Sequence, residues 1–146
     1  MSCVKGSYAL IMRSKGGSLK IGSLGDFEVP EGTLVYVGSA YGPGGLMARV
    51  SRHLRRGKRL RWHVDYLTES EIVKVEEVLA LPNVSEEELF CVLMMFGDPI
   101  IPGFGCSDAR GHLTHLFKLD DPTPLRDFLR RRYQLQEIFP RPDRPV

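Results

Sequence analysis

The feature that most constrains the fold is an abrupt change of hydrophobic pattern across a glycine-rich turn. The stretch "TLVYVGSA", which begins at residue 33, is rich in β-branched and aromatic residues, as strands are. "YGPGG" (41–45) then breaks the strand. Beyond the turn, apolar residues recur at helical spacing, at Leu46, Met47, Val50 and Leu54. The sequence therefore predicts a strand over 33–39 and an amphipathic helix over about 44–56.

Strand patterns also occur on both sides of this unit. The segments are 7–13, 18–22, 71–81 and 112–119. The first two and the strand at 33–39 follow one another at hairpin distances, which predicts three antiparallel strands.

Helical patterns follow the later strands. "SEEELFCVLMMF" (85–96) opens with an acidic first turn and carries an apolar stripe at Leu89, Val92, Leu93 and Phe96. "WHVDYLTES" (62–70) predicts a short helix or turn, and "PTPLRDFLRRRYQLQEIF" (122–139) predicts a terminal helix. We therefore expect an α+β fold, with a small mixed or antiparallel sheet of three to five strands flanked by helices.

The length of 146 residues suits one domain. We place that domain at residues 1–120, with a C-terminal helix and a Pro/Arg-rich tail at 121–146 packed on it or trailing from it. Cys3, Cys91 and Cys106 are too scattered for a disulfide framework or a zinc knuckle, which favours a reducing cytoplasm. No apolar run reaches the length of a signal peptide or a membrane span, so we expect a cytoplasmic protein without membrane contact.

Positive charge is concentrated in one block. The whole chain has 20 Lys and Arg against 18 Asp and Glu, yet no carboxylate occurs between Glu31 and Asp65. Within this stretch lie Arg49, Arg52, Arg55, Arg56, Lys58, Arg59 and Arg61. Such a block provides a local field that attracts an anionic partner, such as a nucleic-acid backbone.

Several short motifs occur in a recognisable order. "GSY" (6–8) is followed by "YVG" (36–38), a glycine-rich turn, Arg49 and the pair "RH" (52–53). This combination resembles the GIY-YIG nuclease superfamily, also called the URI type. The strings "WHVDYL" (62–67) and "FGCSD...HLF" (104–117) resemble its small stand-alone prokaryotic branch, so the likeness extends over about residues 4 to 119.

The resemblance implies a metal-dependent endonuclease that hydrolyses phosphodiester bonds in DNA. Carried over by residue, it implies a catalytic set of Tyr8, Tyr36, Arg49, His53 and Glu88, with Gly6 and Gly38 as motif glycines. Glu88 would hold Mg²⁺ or Mn²⁺, because the metal carboxylate of the superfamily lies near the start of the helix after the third motif strand. The pattern also includes Ser107, Asp108 and His115 of the branch motif.

Two roles in this set stay open. Ser85-x-x-Glu88 is also a capping box, which would occupy Glu88, and Glu86 lies on the opposite flank of the same apolar stripe as an alternative metal ligand. The general base is Tyr8 or Tyr36 by resemblance. By chemistry alone His53 is a rival, because a free tyrosine titrates near pH 10 and a histidine at about 6.5.

The basic block supplies the expected DNA contacts. These are Arg52, Arg55, Arg56, Lys58, Arg59, Arg61 and His63, and the DNA could be duplex, branched or damaged. Trp62, Asp65 and Tyr66 are better explained as a hydrogen-bonded corner that fixes the helix junction. The alternative to an enzyme is a non-catalytic nucleic-acid-binding module of the same fold.

Overall fold

The computed structural model describes residues 4–105 and 111–140, and in that part of the chain six strands form one antiparallel sheet. The strands are β1 (Gly6–Ile21), β2 (Gly25–Ser39), β3 (Val73–Pro82), β4 (Asp98–Pro99), β5 (Leu116–Leu119) and β6 (Gln136–Ile138). Their order across the sheet is β4-β5-β2-β1-β3-β6. The α+β class is confirmed, but the expectation of three to five strands is wrong.

The centre of the sheet is one long hairpin made of β1 and β2. The separation of 7–13 and 18–22 into two antiparallel strands is wrong, because β1 continues through the intervening "SKGG" (14–17) and keeps its register with β2, from Lys15↔Glu31 to Gly17↔Val29. Gly16 and Gly17 have φ angles of 82° and 148°, which a residue without a Cβ adopts freely. The two glycines therefore bend the strand without ending it, and the real turn is the 3-10 helix Gly22–Leu24.

The edge strands are shorter than sequence patterns can reveal. The strand predicted at 71–81 is confirmed as β3, whereas the one predicted at 112–119 is paired only over the four residues of β5. β4 has two residues and β6 has three, which is too short for an alternating pattern. Both were missed for that reason.

Four helices flank the sheet in the described ranges: α1 (Gly45–Leu54), α2 (His63–Thr68), α3 (Glu86–Phe96) and α4 (Thr123–Arg132). Each coincides with a predicted helix. The terminal helix is shorter than predicted, because the chain leaves α4 after Arg132 and returns as β6 to pair with β3. Among the described residues, no helix has both the length and the apolar character needed to cross a bilayer.

The helices divide between the two faces of the sheet. Tyr8, Leu10 and Met12 of β1 face the core that also contains Val50 of α1 and Leu67 of α2. The alternate β1 residues face a second core, which contains the buried apolar residues of α3 and α4, with Ala9, Ile11, Leu89, Val92, Leu125 and Leu129 among its members. This alternation follows from the two-residue period of a strand. It places both motif tyrosines on the α1 face.

Candidate active site

The site lies at the end of the sheet where β1 begins and where β2 and β3 end. In this region Gly6 pairs with Pro82 and Ser7 pairs with Ser39. α1 follows β2 after the glycine-rich turn, and α3 follows β3 after a few residues. Both helices therefore start close to this end, one on each face of the sheet.

Tyr8 and His53 are joined at this end by a buried hydrogen bond. The Tyr8 hydroxyl lies 2.6 Å from Nε2 of His53, and the two residues are 1% and 2% exposed. The Tyr36 ring centroid lies 6.4 Å from that of Tyr8 and 6.2 Å from that of His53. Three of the predicted site residues thus converge, although they come from two strands and one helix.

The motif glycines make room for this arrangement. Gly38 pairs with Tyr8 across the two strands, and a Cβ at Gly38 would lie 2.2 Å from the Tyr8 Cζ atom. A Cβ at Gly6 would lie 2.2 Å from the Leu81 carbonyl oxygen. Since real contacts are never this close, a side chain at Gly38 would displace the phenol from its position beside His53.

Burial keeps the pair neutral. It raises the pKa of Tyr8 well above its ordinary value, Tyr36 adds to this, and the charge of Arg49 opposes it. Burial also lowers the pKa of His53 to about 3. At neutral pH the hydrogen bond therefore joins an uncharged phenol and an uncharged imidazole. Nδ1 of His53 is buried and has no hydrogen-bond partner among the described residues.

Arg49 brings an uncompensated positive charge to the site. Its Nη1 donates a hydrogen bond of 3.2 Å to the Ser39 carbonyl oxygen at the end of β2. Its guanidinium lies over the Trp62 ring, 4.6 Å from the ring centroid. In the described part of the chain, no carboxylate lies within ion-pair distance of it, so most of its N–H donors are available to an anion.

Of the two candidate carboxylates, Glu86 is the one that interacts electrostatically with Tyr8 and Arg49. Burial raises the pKa of Glu86, and the charge of Arg49 acts in the opposite direction. Glu86 in turn raises the pKa of Tyr8, which places its carboxylate within electrostatic reach of both. Glu88 instead accepts a hydrogen bond from the Tyr133 hydroxyl, and Tyr133 packs on the second core. Glu86 and Glu88 are two positions apart, which corresponds to a rotation of about 200° around the helix axis. Their carboxylates therefore point to different sides of α3.

The capping box that competed for Glu88 forms only in part. Ser85 is the N-cap of α3, and its Oγ accepts a hydrogen bond from the Glu88 amide. The Glu88 carboxylate is turned towards Tyr133 rather than back towards the cap. Glu88 therefore supports the packing of α3 on the second core and is not brought together with Tyr8, Tyr36, Arg49 and His53.

A histidine pair borders Glu86. Nδ1 of His115 lies 3.8 Å from Oε2 of Glu86 and has no hydrogen-bond partner among the described residues. Nε2 of His115 lies 2.7 Å from Nδ1 of His112, which is also bonded to Glu87 and stacked on Phe90 at 3.9 Å. Burial lowers the pKa of His115 to about 4. Only His115 had a sequence signal, as part of the branch motif, while His112 and Glu87 had none.

Residues 7–137 of the chain match the family described as Domain of unknown function DUF123. The chain belongs to the DUF123 family. It matches none of the curated proteins and none of the solved structures. The DUF123 match includes Tyr8, Tyr36, Arg49, His53 and Glu86, so the whole of this site lies inside the family's domain.

Some residues of the basic block in this DUF123 chain form ion pairs or hydrogen bonds with other residues of the protein. Arg52 forms two hydrogen bonds of 2.8 Å with the buried carboxylate of Asp65. Lys58 lies 2.7 Å from the Glu69 carboxylate. Arg56 donates to the Thr68 carbonyl oxygen. Arg52 and Lys58 thus have carboxylate partners within the protein, whereas Arg56 is bonded only to a neutral carbonyl and keeps its full charge. The DNA contacts expected of the block stay a prediction.

Four arginines of the block are exposed, and one of them, Arg56, is bonded to Thr68. The other three, Arg55, Arg59 and Arg61, we call the unpaired arginines. Their guanidinium groups form no hydrogen bond or ion pair with any described residue, and they line a groove together with Leu60. His63 was also expected to reach a phosphate. Its Nδ1 accepts a hydrogen bond of 2.8 Å from the Gly105 amide, and burial lowers its pKa. This nitrogen is therefore used to hold the loop before residue 106.

Some expectations lie outside the described residues of this DUF123 protein. Cys3, Cys106, Ser107 and Asp108 are among them. In the residues that the structure does describe, no group of three or more His, Cys, Asp or Glu side chains could hold a metal ion.

Proposed function

We propose that this protein is a metal-dependent endonuclease that hydrolyses phosphodiester bonds in DNA. The observation that carries the proposal is the convergence of three chemical groups at one end of the sheet. They are the hydrogen-bonded pair Tyr8–His53, the uncompensated guanidinium of Arg49, and the half-buried carboxylate of Glu86. Phosphodiester hydrolysis can use the three as proton acceptor, charge stabiliser and metal ligand.

Arg49 would stabilise the charge that develops on the phosphoryl oxygens. Attack on a phosphodiester builds negative charge there, and a fixed guanidinium beside the reacting group stabilises the transition state more than the ground state. Arg49 suits this role because it is held in place by Ser39 and Trp62 while its charge has no carboxylate partner in the described chain.

Tyr8 and His53 would act together as the proton acceptor. As water attacks, its proton passes to the Tyr8 oxygen while the Tyr8 proton moves to Nε2 of His53, so that no free tyrosinate is formed. The imidazole is neutral at working pH, so the lone pair of Nε2 can accept this proton. Its lowered pKa makes it a weak base in the free protein, and the negative charge of a bound phosphate would raise that pKa. Tyr36, 8% exposed and beside the pair, remains the alternative acceptor.

Glu86 would hold the divalent ion, Mg²⁺ or Mn²⁺. A single carboxylate with room for water suits Mg²⁺, which prefers oxygen ligands and keeps several of its waters. The side chain of Glu86 is 28% exposed, which leaves access for water and substrate oxygens. When bound, the ion supplies further charge stabilisation at the phosphoryl oxygens.

The unpaired arginines would position the DNA backbone. They are exposed and line the groove on the loop between α1 and α2. Contacts of this kind go to phosphates and carry no sequence information. We therefore propose that the substrate is chosen by its shape, as a branched or damaged duplex, rather than by its sequence.

The test is a cleavage assay with Mg²⁺ and Mn²⁺ on duplex, single-stranded, flapped and branched DNA. We expect cleavage by the wild type, and a loss of at least about a hundredfold in kcat for Arg49→Ala and Glu86→Gln, since each removes a charge at the reacting phosphate. Glu88→Gln is the matched control. It removes the same charge from the same helical turn and should cleave like the wild type.

Two results would contradict this assignment. One is a Glu88→Gln variant that is inactive beside a fully active Glu86→Gln variant, which would return the metal carboxylate to the other flank of α3. The other is a wild type that binds DNA but cuts none of the substrates with either ion.

The second of these results would favour a non-catalytic DNA-binding module. The specific observation behind this alternative is the deep burial of Tyr8 and His53, while the groove beside the unpaired arginines is open. A binding module would lose affinity when Arg55, Arg59 and Arg61 are neutralised but would be indifferent to Tyr8→Phe. An enzyme of the kind proposed would lose turnover with Tyr8→Phe and keep its affinity.

A further inference from the structure

We infer that Trp62 is a positioning residue whose indole holds the guanidinium of Arg49 in the plane needed to meet a phosphate. The inference rests on the proposed function, because it assigns Arg49 the reacting phosphodiester. Trp62 is the only tryptophan of the chain and lies in the "WHVDYL" motif, to which the mechanism above gives no role.

The indole ring contacts two guanidinium groups. The guanidinium carbon of Arg52 lies 4.0 Å from the Trp62 ring centroid, and that of Arg49 lies 4.6 Å from it. Both arginines come from α1, one turn apart, while Trp62 immediately precedes α2. The indole therefore links the end of one helix to the start of the next through two cation–π contacts.

Asp65 binds two of these three residues. Its buried carboxylate accepts two hydrogen bonds from Arg52, and its Oδ2 also accepts one from the Trp62 amide at 2.8 Å. Both the backbone of Trp62 and the arginine stacked on its ring are thus held by one carboxylate. Asp65 thus holds Arg52 and Trp62 in place, and Trp62 in turn contacts Arg49.

The two arginines show why an aromatic ring suits Arg49. A carboxylate occupies the N–H edge of a guanidinium, as Asp65 does for Arg52, and leaves less of it for a ligand. A ring face instead fixes the plane of the guanidinium and leaves its edges free for bidentate contact with phosphate. Arg49 combines a ring contact with a hydrogen bond to the Ser39 carbonyl oxygen and an interaction with the Tyr8 hydroxyl.

The first experiment measures the contact itself, without activity. The ring current of an indole shifts nearby protons, so the Nε–H resonance of Arg49, assigned with Arg49→Lys, should move when the ring is removed. We expect a large change in Trp62→Leu and a smaller one in Trp62→Phe, which keeps an aromatic face. The Nε–H of Arg55, which has no contact with the indole, is the control and should not move. An Arg49 resonance that is the same in wild type and Trp62→Leu would overturn the inference.

The second experiment measures the consequence. Trp62→Leu should lower kcat by about 10- to 100-fold, the effect expected when a catalytic group is misplaced by about 1 Å, with little change in KM. Trp62→Phe should recover most of this loss. In an Arg49→Ala background, Trp62→Leu should have no further effect, because there is no guanidinium left to position. Equal losses with and without Arg49 would show that Trp62 only supports the fold, and would overturn the inference.

Failure of the proposed function gives a different result. If the wild type cuts no DNA, the quantity to measure is the affinity of the protein for branched DNA instead of kcat. Arg49→Ala and Trp62→Leu should then weaken binding equally, with no further loss in the double variant. A Trp62→Leu protein that binds DNA like the wild type while Arg49→Ala does not would overturn the positioning role.

Discussion

The carboxylate of Asp65 is the most heavily used polar group of the described structure, and Asp65→Asn tests what it contributes. Oδ1 accepts one hydrogen bond from Arg52, while Oδ2 accepts one from Arg52 and one each from the amides of Arg61 and Trp62. An asparagine has the same shape but only one acceptor oxygen. With that oxygen at the Oδ2 position, its NH₂ group faces an N–H donor of Arg52, so one bond is lost and the arginine is left without its counter-charge.

The expected loss of stability is about 3 kcal/mol. Removing one partner of a buried ion pair costs about 3–5 kcal/mol, and we take the lower end because the side chain of Arg52 is 17% exposed and regains some hydration. For a chain of this size such a loss lowers Tm by roughly 10 °C. Urea denaturation followed by far-UV circular dichroism measures the free energy of unfolding. Asp26→Asn is the control, since this carboxylate is exposed and its loss should change stability by less than about 0.5 kcal/mol.

The contribution of Asp65 should depend on pH in one direction. Burial acts to raise its pKa, but the hydrogen bonds from Arg52 and from the two amides outweigh burial and hold the pKa below its ordinary value. A carboxyl whose pKa is lowered by folding stabilises the protein fully above its unfolded pKa of about 3.9, and loses this effect as pH falls through the folded pKa. The difference between wild type and Asp65→Asn should therefore be full at pH 7 and shrink below pH 4. A difference under about 1 kcal/mol at pH 7, or one that grows in acid, would refute this reasoning.

Three further perturbations test other parts of the structure. DNA affinity should fall with salt at a logarithmic slope of about −4, because the three unpaired arginines and Arg49 have no carboxylate partner in the described chain; a slope near −6 would mean that Arg52 and Lys58 also reach phosphate. Gly38→Ala should destabilise the protein by at least about 2 kcal/mol in urea denaturation, because its Cβ collides with the Tyr8 ring, and an unchanged midpoint would contradict that collision. Burial lowers the pKa of His63, so its contribution is full above pH 6.5 and is lost as pH falls towards the folded pKa. His63→Asn, whose amide oxygen can replace Nδ1 as acceptor for Gly105, should reduce the loss of stability between pH 7 and 5; an unchanged loss would exclude His63 as its source.

The parts of the fold that the sequence predicts are those with a long repeating pattern. α1 and α3 each carry an apolar stripe, and β3 shows alternation, so their positions follow from periodicity alone. The strand break expected at Gly16 and Gly17 was wrong because glycine signals a positive φ angle, which a bent strand uses as readily as a turn. Whether the strand ends at these glycines depends on its neighbour in the sheet. Here β2 stays hydrogen-bonded to β1 on both sides of them, so β1 continues.

The sequence predicts those parts of the candidate site that are marked by short motifs, but not the contacts between residues far apart in the chain. Tyr8 and Tyr36 were found from the order of short motifs, and the structure places their rings together. The internal pairing of Arg52 was not predictable from charge spacing, because it depends on how α2 turns back to place Asp65 beside α1. A run of positive charge indicates an anion-binding surface only after the residues that it already binds within the protein are known.

The choice of Glu86 over its neighbours follows from how the first turn of α3 is placed. α3 packs on the face of the sheet opposite α1, so only residues at its N-terminal end can reach round the end of the sheet towards Arg49. Three consecutive glutamates occupy that turn. Glu87 is bonded to His112, and Glu88 is bonded to Tyr133 on the second core. Glu86 forms no hydrogen bond with any described residue, and burial raises its pKa. A cation beside such a carboxylate stabilises its charged form, which burial disfavours. The three glutamates at the start of α3 therefore have three different surroundings, and Glu86 is the one to which we assign the ion in the proposed function.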